Sequence, residues 1–162
     1  MRTLGVCAVL GGALRIASAF IPWAANVAWL EALYFAIDTL LLFGLMGVYF
    51  AHCARLGVLG LAAFAIAETG IASIVGPDTT AFGIDTYQAG VAVISIGLSL
   101  LGVVMLIRRA GRPIAPLCWI ASTAAGVGGG AIGQADLGFL AGGLLFGLGF
   151  IAAGLDLLRP GA

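Results

Sequence analysis

From Trp29 to Phe50 the chain reads WLEALYFAIDTLLLFGLMGVYF, a stretch matched in length to the hydrocarbon core of a bilayer. About 20 apolar residues in one helix, rising 1.5 Å each, cover that ~30 Å core. The first half of the stretch nevertheless carries Glu31, Tyr34 and Asp38. Offsets of three and seven put all three on one helical face. Carboxylates in a lipid-length helix are costly, so they mark a candidate functional site.

The rest of the chain has the same character. Of 162 residues 62% are hydrophobic and 9% charged, whereas soluble domains carry about a quarter charged residues. So little polar surface cannot cover a soluble globule, and the expected fold is an all-α integral membrane bundle forming a single domain over residues 1–162. Six apolar segments follow one another, at about 4–23, 28–51, 56–76, 87–107, 116–134 and 138–158, with short polar or Pro/Gly breaks between them. Arg2 precedes an apolar run that a signal peptide could explain. Arg15 interrupts the run and Trp23 lies beyond the reach of a signal core, so the expectation is a retained transmembrane helix. The longest connection, Pro77 to Thr86, is polar and acidic and could fold over the mouth of a pocket.

All seven basic residues are arginines, and their placement reads as topology. Arg2, Arg55, Arg108, Arg109, Arg112 and Arg159 fall before, between or after segments on one side. The other three connections carry Asn26, then Asp78 and Asp85, then Asp136. The positive-inside rule then sets six spans with both termini cytoplasmic, in a multi-pass protein of the cell membrane. No basic run suggests nucleic acid. Cys7, Cys53 and Cys118 form neither a CxxC nor a zinc pattern and read as buried free thiols. With His52 alone, no multi-His metal site can be built; Glu31, Asp38 and Glu68 could offer oxygens to a hard cation, but Arg15 works against it, and neither a metal nor a cofactor is expected.

Arg15, Glu31, Asp38 and Glu68 lie inside apolar segments. Counted from the arginine-poor ends, Arg15 and Glu68 each sit about 12 Å deep at 1.5 Å per residue. Asp38 lies near the midplane, Glu31 is shallow, and Ser95 reaches a similar level. An isolated mid-bilayer charge costs ~2.5–3.5 kcal/mol, so pairing Arg15 with Asp38 or Glu68 is favoured, and the planar guanidinium suits it. Three carboxylates against one guanidinium leave acid in excess, the composition from which general acid/base chemistry is built.

These residues lead to an expected enzyme acting on a lipophilic small molecule, by isomerisation, cyclisation or protonation of an epoxide or alkene. Asp38 would be the acid, Glu68 or Glu31 the base. Arg15 and Tyr34 would hold the substrate's polar atoms, and Trp23, Trp29 and Ser95 would line its site. Blander roles compete: a structural salt bridge for Arg15, and an interfacial aromatic belt for Trp23 and Trp29. A proton-coupled transporter and a non-catalytic partner or ligand-binding subunit are the alternatives. The 26 glycines, densest in the fifth and sixth segments, fit close helix packing or homo-oligomer contacts there.

Overall fold

The computed structural model describes residues 1–22, 24, 27–75, 80–81 and 84–159. It is a helical bundle of five helices: α1 (Arg2–Ser18), α2 (Ala28–Ile74), α3 (Thr86–Arg108), α4 (Ile114–Ala131) and α5 (Ala135–Leu158). A two-residue ladder, β1 (Thr80–Ala81) with β2 (Ile84–Asp85), precedes α3. Asp85 then caps α3, its carboxylate accepting the Gln88 amide at 3.0 Å. Trp23, Asn26, Pro77 and Asp78 lie outside the described residues.

Two boundaries differ from the hydropathy pattern. The first helix stops at Ser18 instead of Trp23. Ser18 Oγ donates to the Arg15 carbonyl at 2.9 Å, the chain continues in i to i−3 turns as far as Ile21, and Pro22 then disfavours helical geometry at Ile21. The second and third apolar segments form one run of helix, α2, because the charged break at His52 to Arg55 contains neither Gly nor Pro. His52 continues the helix and donates from Nδ1 to the Val48 carbonyl at 2.9 Å.

The break comes at Gly57, with φ 61° and ψ −160°, a backbone region open almost to glycine alone. There α2 doubles back. Tyr49 and Phe64 stack with ring centroids 4.3 Å apart, although fifteen residues of straight helix would separate them by about 22 Å. No atom lies within 4 Å of where a Gly57 side chain would begin, so a substitution acts on the backbone alone. Gly57→Ala is therefore expected to cost about 1–3 kcal/mol in a thermal or denaturant unfolding experiment in detergent micelles. An unchanged midpoint would show that the turn tolerates a Cβ.

The remaining helices pack antiparallel to their neighbours, and glycines record the register. Gly44 and Gly47 face Ala8 and Leu4, bringing the first limb of α2 against α1. Gly70 and Gly97 bring the second limb against α3, and Gly102 meets Pro116 and Ile120 of α4. Gly138 meets Gly129, pairing α4 with α5, and Gly5 with Gly154 and Gly12 with Gly147 close α5 onto α1. The two limbs of α2 thus run in opposite directions and the ring of rods closes. Its centre is one apolar cluster that includes Ala8, Leu41, Leu45, Leu98, Leu101, Trp119 and Phe150.

Polar side chains inside the ring stitch α3, α4 and α5 together. Ser99 Oγ donates to Thr123 Oγ1 at 2.9 Å, Thr123 Oγ1 to the Ser95 carbonyl at 3.2 Å, and Ser122 Oγ to the Gly142 carbonyl at 2.8 Å. Such bonds join helices that lack a hydrophobic driving force toward each other in lipid. Among the described residues four helices, α2 to α5, are long and apolar enough to cross a membrane. Their outward faces are apolar too: Phe43, Val58, Ile107 and Val127 are all exposed. The fold is that of a helical membrane bundle, with lipid against these faces.

The cysteines correct one expectation. All three are free, but Cys53 is exposed beside the α2 turn and neither Cys7 nor Cys118 is fully buried by protein. The apolar runs around them suggest burial because hydropathy alone does not separate lipid-facing from protein-facing positions.

Candidate functional site

The two ends of the bundle differ in charge. At one end Arg55 Nη1 donates to the Arg109 carbonyl at 3.4 Å. Asp156 there sits between Arg112, at 3.6 Å, and Arg159, at 3.3 Å. The opposite end gathers the C-terminus of α1 and the N-termini of α2, α3 and α5. A cleft of about 460 Å³ opens there, within the range of small-molecule sites.

Arg15 and Ser18 of α1 line this cleft, with Tyr34 of α2 and Tyr87 of α3. The turn after α1 adds Ala19 and Ile21, and α5 contributes Asp136, Phe139, Leu140 and Gly143. Each charge comes from a different local cause. Arg15 is one turn from the end of α1, partly buried, with Nη1 3.4 Å from Ser18 Oγ. Gly143 makes room for it, since Arg15 Nη2 is the one group within 4 Å of where a Gly143 Cβ would stand, at 3.8 Å. Asp136 is in the first turn of α5, where the helix dipole favours an acid, and is exposed. Two ion pairs lie at the arginine-rich end, and Arg15 and Asp136 share the cleft without an ion pair to each other.

Of the eight residues singled out in the sequence, Arg15 and Tyr34 come together here. Asp38, one turn beyond Tyr34 on the same face, is half-buried and engaged in the fold, and it does not line the cleft. Glu31 and Trp29 are exposed at the start of α2. Trp23 lies outside the described residues. Ser95 belongs to the seam between α3 and α4, its hydroxyl donating to the Val91 carbonyl at 2.8 Å.

Glu68 stands apart from its expected neighbours, and it does not line the cleft. It lies at helical spacing from Phe64, which stacks on Tyr49 of the first limb of α2, and from the buried Ile71. It sits eleven residues past Gly57, while Asp38 sits nineteen before it. Measured along the two limbs, Asp38 is some 12 Å further from the turn than Glu68 at 1.5 Å per residue. Both Glu68 carboxylate oxygens are buried and have no hydrogen-bond partner among the described residues. Depth counted from segment ends suggests one shared level for Arg15 and Glu68. The helices end at Ser18 and Ile74, which leaves Arg15 three residues and Glu68 six from those ends, so the shared level is lost.

Asp136 and Tyr87 escape the sequence reading as site residues. Both stand at the start of a helix beside an arginine-poor connection, and a search restricted to charges inside apolar runs passes over them. Their signal is positional: a polar residue in the first turn of a helix at the same end as Arg15. No group of three or more potential metal ligands occurs among the described residues. Comparison with protein-family models, with curated proteins and with solved structures finds no match.

Proposed function

We propose that the chain is a six-span membrane protein, with both termini cytoplasmic, that binds a lipophilic small molecule through its polar head at the outward end of the bundle. The supporting observation is the cleft that Arg15 lines without an ion pair to Asp136. A guanidinium kept in a partly buried cleft walled by Ile21, Phe139 and Leu140 is poised for a polar group carried on an apolar body. The topology rests on the arginine asymmetry and on the reversal at Gly57, which divides α2 into two limbs.

Gly143→Leu tests the binding reading, because it fills the cleft beside Arg15 without meeting backbone. Its expected effect is a loss of at least tenfold in affinity for dodecyl amphiphiles in nanodiscs, with helix content and thermal midpoint kept. Retained affinity for every head group tried would remove the cleft as the binding site.

The second reading is catalytic and rests on Asp136 sharing the cleft with Arg15 and the phenols of Tyr34 and Tyr87. Asp136 would act as general base, a tyrosine hydroxyl as proton donor, and Arg15 would steady a developing oxyanion, as in isomerisation or hydration of an epoxide. Asp38, Glu68 and Glu31 do not line the cleft, so this version replaces the expected acids with Asp136. Membranes carrying the chain should then consume 1,2-epoxydodecane, and Asp136→Asn should slow this roughly a hundredfold or more while binding persists. Equal consumption by the variant would leave binding as the activity.

A further inference from the structure

We propose that the head group this cleft receives is a zwitterion: a phosphate on Arg15, an ammonium on Asp136, and an alkyl chain leaving past Phe139. The proposal rests on the binding reading above and adds the chemical class of the ligand.

The two charges face one cleft from different helices, and neither neutralises the other. A bare anion covering the cleft would be repelled by Asp136, and a bare cation by Arg15. A neutral head would strip water from both charges and return nothing to either. A ligand carrying both signs satisfies both ends. Arg15 spends one donor on Ser18 Oγ, at 3.4 Å, and its remaining fork matches a phosphate's oxygens. Asp136, in the first turn of α5, offers a carboxylate to an ammonium, and the rings of Tyr34 and Tyr87 line the same cleft.

The spacing also selects among zwitterions. The Arg15 guanidinium lies beside Gly143, and Asp136 is seven residues earlier on α5, about 10 Å along the axis at 1.5 Å per residue. That is too far for a direct ion pair. In phosphoethanolamine four bonds of ~1.5 Å separate phosphorus from nitrogen, giving roughly 5 Å when extended. Adding ~2.8 Å of charge-assisted hydrogen bond at each end spans about 10 Å. An α-amino acid head, with its charges two bonds closer, falls short. Phe139 is 67% exposed, so the apolar wall runs outward from the cleft to the lipid-facing surface, giving the tail an exit.

The test uses the full chain in nanodiscs with four probes: dodecylphosphoethanolamine, dodecyl phosphate, dodecylamine, and phosphoethanolamine without a chain. The expected result is at least tenfold tighter binding of dodecylphosphoethanolamine than of the other three. Asp136→Asn should erase its advantage over dodecyl phosphate, and Arg15→Gln its advantage over dodecylamine. Because Asp136 is exposed, its variant is expected to fold, and circular dichroism checks this. Dodecyl phosphate binding as tightly as the zwitterion, or an advantage untouched by Asp136→Asn, overturns the zwitterion and leaves the cleft as an amphiphile site. Equal binding of chainless phosphoethanolamine overturns the lipid-like ligand. If none of the dodecyl probes binds the wild-type chain, the binding reading itself fails.

Discussion

Gly97→Leu is expected to unfold the bundle, whereas Gly128→Leu leaves it intact. A Cβ on Gly97 would overlap the backbone nitrogen of Ala67 and stand 2.6 Å from its Cα, where α3 crosses the second limb of α2. The obstacle is backbone, which cannot rotate aside as a long side chain can. Overpacking against side chains costs about 1–3 kcal/mol, and here the two helices must separate along the seam, so the loss should exceed that range. Gly128, exposed on α4, has nothing within 4 Å of its Cβ position and serves as the control for added leucine. Thermal unfolding in a mild detergent compares the pair. A Gly97→Leu midpoint equal to that of Gly128→Leu would mean that α2 and α3 are not packed as described.

Replacing Glu68 by methionine should stabilise the protein. Both carboxylate oxygens are buried without a partner among the described residues, at helical spacing from Phe64, which stacks on Tyr49 of the first limb of α2. A polar group stripped of water and given no hydrogen bond costs about 1–3 kcal/mol by mutational measure. Methionine keeps similar length and flexibility and brings no such penalty. The variant should therefore unfold at higher temperature, and its affinity for dodecyl amphiphiles should be unchanged, because Glu68 does not line the cleft. A lower midpoint would instead show that the carboxyl is bonded in the folded protein, for example by a second copy of the chain. The contrast with Arg15 is instructive: the partly buried guanidinium lines the cleft, and the buried carboxylate does not.

The membrane class was legible because hydropathy measures the solvent a segment prefers, and every long segment prefers lipid. The arginine asymmetry likewise separates the two ends, and the observed ion pairs of Asp156 fall at the arginine-rich one. Helix limits were less legible. Nothing in HCAR stops a helix, so the hairpin turn waits for Gly57, where positive φ is available. The site was half legible. Arg15 and Tyr34 meet because both stand near the same end on facing helices. Glu68 does not join them because it lies deeper from its helix end than Arg15 does, and Ser95 does not because depth along a helix says nothing about the side from which a residue projects. Ser95 shows this plainly: its hydroxyl bonds to its own helix while its carbonyl takes Thr123. Asp136 reads in the sequence only as a mark of the arginine-poor side, because an acid in a helix's first turn is ordinary until a guanidinium is found across a cleft from it.

Photo-cross-linking tests most directly whether the cleft is where a ligand sits. A dodecylphosphoethanolamine bearing a diazirine along its chain would be irradiated with the protein in nanodiscs, and the labelled peptides mapped by mass spectrometry. Label concentrated on the residues that line the cleft's apolar wall, Ile21, Phe139 and Leu140, and displaced by excess unlabelled amphiphile, is the expected result. Label spread over lipid-facing positions such as Phe43, Val58 and Ile107, and undiminished by competitor, would contradict it.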